Sequence, residues 1–157
     1  MFEPGDDLDL GAQAQALIDG ERDVTAVLAN LSSLIFHTLP DLNWAGFYLF
    51  KDGELVLGPF QGRPACYRIA LERGVCGAAA RTLTTQRVAD VHEFPGHIAC
   101  DSASNAELVV PLQVGGTLFG VLDLDSPSKG RFSEADEQLI GRVVRVLEDH
   151  LARVMVN

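Results

Sequence analysis

Three cysteines stand at positions 66, 76 and 100, and two of them lie where little could pack a core. Cys66 follows Pro64 in "QGRPACYRI", and Cys100 sits in the polar stretch "GHIACDSASNAE". A cysteine serves as nucleophile, metal ligand, disulfide partner or small hydrophobe. An odd number argues against a permanent disulfide framework in a reducing compartment, so core filler, metal ligand and redox-active thiol are the readings to separate. Cys66 and Cys100 read as reactive loop thiols. Cys76, in "RGVCGAAA", falls near the start of a short helix and close to Arg73, a setting that lowers a thiol pKa; its small neighbours suit a buried filler equally well. His92 and His97 keep a metal in view, because His97 and Cys100 have short-range ligand spacing and Cys66 or Cys76 would complete a tetrahedron. That signal is weak, since no Cys-x-x-Cys pair is present.

A second group of chemical residues is acidic. In "GVLDLDS", alternation along a strand puts Asp123 and Asp125 on one face, about 7 Å apart, and Leu122 and Leu124 on the other. Aspartate is disfavoured inside strands, so a like-charged pair in an apolar run points to a bound ammonium group or divalent cation. Glu107 joins them only in one register. A plain two-residue turn at Gly115-Gly116 would pair it with Leu124; a three-residue loop with a bulge there reverses the parity and brings it opposite Asp123 or Asp125. In "NWAGFYLF", Trp44, Gly46 and Tyr48 share a face, so two rings flank a gap that a ligand would fill, unless both simply bury against helices.

The elements that must position these residues are legible from periodicity. Apolar residues from Leu10 to Ile35 recur at three- and four-residue intervals, predicting one or two amphipathic helices that Pro40 ends. "NWAGFYLF" and "ELVLGPF" flank an Asp-Gly pair and form a hairpin. Short strands follow at "YRIAL" and "QRVA", with a short helix at "GVCGAAART" between them. Residues 90–105 read as an irregular stretch long enough to be functional. "AELVVPLQV" and "TLFGVLDLD" form a second hairpin. A long amphipathic helix closes the chain, with Ser133 as cap and Asp136 at the capping-box position. The expected fold class is α+β: about six antiparallel strands, the N- and C-terminal helices packed on one face and a ligand pocket on the other.

The 157 residues, 47% hydrophobic, suit a single domain over 1–157. A formal net charge of −10 opposes binding to nucleic acid or an anionic membrane surface. No apolar run is long enough to span a bilayer, and the acidic N-terminus does not read as a secretory signal, so the expected location is cytoplasmic. The apolar stripe on the terminal helices would serve a homodimer as well as packing on the chain's own sheet.

Taken together, "NWAGFYL", "LVLGPFQGRPAC", "RGVCG", "DVHEFPGHIACDSASNAE" and "VLDLDS" resemble the free methionine-(R)-sulfoxide reductases, which are single GAF domains. The three cysteines fall at that family's spacing of ten and then twenty-four residues. The resemblance implies that Cys100 is the nucleophile, Cys66 the resolving thiol and Cys76 an accessory or alternative partner. It places Trp44, Tyr48, Glu107, Asp123 and Asp125 in the substrate pocket. It implies reduction of free methionine sulfoxide through a cysteine sulfenic acid and a disulfide, recycled by an external dithiol such as thioredoxin, with no metal or organic cofactor. Asp125, Glu107 and Asp123 are all candidates to protonate the sulfoxide oxygen. Two other readings stand beside it: a non-enzymatic GAF sensor using the same pocket, and a zinc-bearing domain built on Cys100 and His97.

Overall fold

A computed structural model describes residues 9–97, 100 and 102–155. The irregular stretch expected over 90–105 therefore contains three residues, Ile98, Ala99 and Asp101, that lie outside the described set, as do both ends of the expected domain.

The N-terminal apolar periodicity resolves into two helices, α1 (Leu10–Ile18) and α2 (Val24–Thr38), each started by an aspartate. Asp9 accepts from the Ala12 N–H and Asp23 from the Ala26 N–H, satisfying amide groups that a helix start leaves without partners. Six strands follow: β1 (Trp44–Lys51), β2 (Glu54–Gly62), β3 (Arg68–Ala70), β4 (Gln86–Val88), β5 (Ala106–Val114) and β6 (Thr117–Ser126). They form one antiparallel sheet in the order β3-β2-β1-β6-β5-β4. Helix α3 (Gly74–Thr82) lies between β3 and β4, and α4 (Glu134–Val154) closes the chain behind the Ser133–Asp136 capping box.

The alternation of each strand sorts its side chains into two cores. On one face Ala45, Phe47, Leu108, Val110, Leu122 and Leu124 meet Leu28, Leu31 and Ile35 of α2 and Ile140, Val144 and Leu147 of α4. The apolar stripe of α4 is thus occupied by the chain's own sheet. On the other face Trp44, Tyr48, Val109 and Val121 meet Val75, Cys76, Ala79 and Ala80 of α3. This second face is not left open: a helix of small residues, with no bulky side chains to hold it away, covers part of the sheet. Gly77 permits the approach, because a Cβ there would stand 2.8 Å from the Leu71 carbonyl oxygen.

The β5–β6 hairpin turns at Gly115 and Gly116, both at positive φ, and Val114 pairs with Thr117 across them. The loop is the plain two-residue kind, against the expectation of a longer one. The parity change comes further in: Gln113 pairs with Leu118, but Leu112 pairs with Gly120, so Phe119 is an extra residue in β6. From there Glu107 falls opposite Asp125 and Val109 opposite Asp123. The bulge is needed, and its place is Phe119 rather than the turn.

Candidate active site

Five of the expected site residues come from the centre of the sheet. Trp44 pairs with Asp125 and Gly46 with Asp123 on one side of β6, while Glu107 pairs with Asp125 on the other. Glu107, Asp123 and Asp125 are nonetheless buried, at 8%, 5% and 9% exposure. Three carboxyls in one desolvated place cannot all ionise cheaply. Burial, reinforced by the charge of Asp123, holds the Glu107 carboxyl well above the ordinary carboxylate range. Burial and the charge of Asp125 do the same for Asp123. Among the described residues the Oδ1 of Asp123 has no hydrogen-bond partner.

The aromatic residues form one wall. Trp44 and Tyr48 stack with centroids 5.8 Å apart, and Phe60 also stacks on Trp44 at 5.1 Å. The gap left by Gly46 is filled by Phe60 rather than by a ligand, since a Cβ at Gly46 would lie 2.2 Å from the Phe60 Cβ. The free space lies instead between this wall, α3 and the acids. Each ring's polar handle is anchored: the Trp44 indole N–H donates to the Arg63 carbonyl at 3.1 Å, and the Tyr48 hydroxyl donates to the Cys66 carbonyl at 2.9 Å. Burial first, then the charge of Asp123, pushes the Tyr48 phenol pKa upward, so it stays a donor.

Cys66 and Cys100 are joined by a disulfide, with Cα atoms 5.4 Å apart. Both are half-buried rather than exposed. The bond commits both sulfurs, so the zinc set drawn from His97, Cys100 and Cys66 is not what this oxidised chain presents. The loop leading to Cys100 is pinned where the Gly74 N–H, at the start of α3, donates to the Gly96 carbonyl at 3.0 Å. Its far end is held by Asn43, whose amide donates to the Ser104 hydroxyl, and by the Asn105 N–H bonded to the Ser126 carbonyl.

For Cys76 the structure selects the buried reading of the two that the sequence left open. It is 4% exposed, in the first turn of α3, with its sulfur 3.8 Å from Glu107 Oε2. Burial, with Asp123 and Glu107 facing it, pushes the thiol well above its ordinary pKa, opposite to the lowering that Arg73 and the helix start suggested.

The partly open pocket, about 40 Å³, is lined by Trp44, Tyr48, Cys76, Cys100, Glu107, Asp123 and Asp125, together with His97 and Ser104. All eight predicted site residues but Cys66 line it, and Cys66 reaches it through its bond to Cys100. His97 was weighed in the sequence only as a metal ligand, and burial with the nearby His92 lowers its pKa. Ser104 and Phe60 carried no sequence signal of a role here.

The GAF domain model matches residues 21–152. The free methionine-R-sulfoxide reductase of Escherichia coli is 54% identical over 92% of this chain and 87% of its own. That of Neisseria meningitidis, solved in complex with its substrate, superposes with a TM-score of 0.92 at 38% identity, covering 99% and 96% of the two chains. The chain belongs to the free methionine-R-sulfoxide reductases. A third relative, the reductase of Staphylococcus aureus in its reduced form, has a TM-score of 0.89 at 47% identity over 91% and 93%. In this free methionine-R-sulfoxide reductase fold, the pocket, the acids and the disulfide occupy one face of a GAF sheet.

Proposed function

We propose that this chain reduces free L-methionine (R)-sulfoxide to L-methionine at the pocket of Trp44, Tyr48, Glu107, Asp123 and Asp125, with Cys100 as nucleophile. The observation that carries the reading is the Cys66–Cys100 disulfide set against a pocket of three buried carboxyls. In the reduced chain the Cys100 thiolate attacks the sulfoxide sulfur while a carboxyl protonates the oxygen. Methionine leaves, and the oxygen remains on Cys100 as a sulfenic acid. The Cys66 thiol then attacks that sulfur, water departs and the disulfide forms. An external dithiol, thioredoxin in this reading, reduces it by exchange and is itself oxidised. Cys76 is buried as a neutral thiol against Glu107, so its role is accessory.

The carboxyl pocket supports selection of the free amino acid. An ammonium group offsets negative charge and gives the Asp123 Oδ1 a donor; the amide of a peptide-bound residue has no charge to give and would leave buried charge unpaired. Glu107 and Asp123, whose protons are held by burial, are the acids best suited to protonate the sulfoxide oxygen at neutral pH. Substrate turnover should therefore fall as pH rises through the raised pKa of the donor.

Single-turnover reduction of the separated sulfoxide epimers tests this. Cys100→Ser should abolish release of the first methionine from the R epimer, whereas Cys66→Ser should keep that turnover and lose recycling. Retained activity in Cys100→Ser, or equal rates on an acetylated and amidated methionine sulfoxide, would overturn the assignment.

A further inference from the structure

We propose that Cys76, Glu107 and Asp123 form a binding site for a single zinc-class divalent cation, distinct from the redox pair. The three residues come from α3, β5 and β6, and one ligand atom from each lies within 4.8 Å of the other two. Sulfur and oxygen ligands on one zinc ion stand about 3.5–4 Å apart, given bonds near 2.3 and 2.1 Å, so side-chain shifts under about 1 Å close the set.

A cluster of acids alone would not carry this. The independent observation is the Asp123 Oδ1, which belongs to a side chain only 5% exposed and has no hydrogen-bond partner among the described residues, in a pocket where Cys76 and Glu107 also converge. A buried carboxylate oxygen left without a donor lacks a cation or a proton donor.

The donor types select the ion. One sulfur and two carboxylate oxygens suit zinc and its stand-in cobalt, whereas magnesium and calcium favour all-oxygen sets. Three protein ligands leave the fourth tetrahedral position for water, and a cavity of about 40 Å³ holds an ion with such a water. Binding displaces the Cys76 thiol proton, and any proton on the two carboxyls, to solvent. In the reaction proposed above, the ion would stand where the substrate's ammonium must sit and so inhibit; that consequence rests on the reductase reading, while binding itself does not.

The oxidised protein offers a clean test, because its disulfide leaves Cys76 as the free thiol. Titration with cobalt(II), without reductant, should saturate at one equivalent with a sulfur-to-cobalt charge-transfer absorption that zinc bleaches. Cys76→Ser should abolish the band, and Asp123→Asn should weaken binding by about 100-fold with the fold intact by circular dichroism. His92→Ala and His97→Ala should leave the band in place. No uptake by the wild-type protein, a charge-transfer band surviving in Cys76→Ser, or loss of the band in a histidine variant would each overturn the proposal. None of these readings depends on catalytic turnover, so failure of the metal site and failure of the reductase assignment remain separable.

Discussion

At the scale of single residues, the same burial that equips Glu107 and Asp123 to hold protons destabilises the fold near neutral pH. Their folded pKa values are raised, so the native state binds protons more tightly than the unfolded chain. The sign follows: stability is greatest below the unfolded carboxyl pKa and declines as pH rises through the window up to the raised folded values. Asp123→Asn removes one ionisable group from that window. It should raise the melting temperature at pH 7 by a few degrees, corresponding to about 1–2 kcal/mol, with the gain shrinking toward pH 4, while reductase activity falls sharply. Melting curves across that pH range check it; a uniform gain at every pH would mean that the charge is not responsible.

Residue identity also sets what a sequence can reveal. Asp123 and Asp125 were legible because charges in an apolar strand are out of place, and Trp44 and Tyr48 because alternation fixes their shared face. The pKa direction of Cys76 was not. Arg73 and a helix start are near it in sequence, but the groups that face its sulfur belong to β5 and β6, and only the folded sheet brings them there.

At the scale of elements, the site depends on two local irregularities. The Phe119 bulge turns Glu107 inward, and "TLFGV" holds no glycine-at-turn signal that would place the extra residue there; Gly115-Gly116 offers a more visible site for it. The second is the close passage of Phe60 over Gly46. A glycine between two aromatics reads as a vacancy for a ligand, and the sequence does not disclose that a residue from the neighbouring strand takes it. Gly46→Ala should overpack this point and cost about 1–3 kcal/mol, since the Cβ would collide with the Phe60 Cβ and backbone. Denaturant unfolding measures the loss, and Gly46→Ala/Phe60→Ala should not recover it, because an alanine at position 60 keeps the Cβ and backbone that collide; recovery there would mean that the aromatic ring, not the close backbone approach, is responsible.

At the scale of the whole molecule, one sheet separates a structural core from a chemical one. Helices α2 and α4 with the large aliphatic residues stabilise one face, which leaves the other free to carry acids and a disulfide-bonded cysteine pair. The disulfide spans 34 residues of sequence, enclosing β3, α3 and β4 in its loop. Closing a loop of that length removes entropy from the unfolded chain worth about 3–4 kcal/mol at room temperature. The oxidised protein should therefore melt on the order of 10 °C above the reduced protein, as scanning calorimetry with and without a dithiol would measure. The layered α+β plan was readable because periods of 3.6 and 2 alternate cleanly along the chain. The covering of the pocket face by α3 was not, because a helix of alanines and glycines has too weak an apolar stripe to announce which surface it meets.

The hydrogen bond from the Tyr48 hydroxyl to the Cys66 carbonyl gives one member of the thiol pair a fixed address. In the proposed cycle, a sulfenic acid on Cys100 would then search only along its own loop before meeting its partner, and the interval it spends exposed to further oxidation would be short. Tyr48→Phe would lengthen that interval. Under repeated turnover with excess oxidant, the variant should accumulate Cys100 sulfinic acid faster than the parent, visible as two added oxygens by intact-protein mass spectrometry. The tyrosine would then determine how many cycles one molecule survives, a property of endurance rather than of rate.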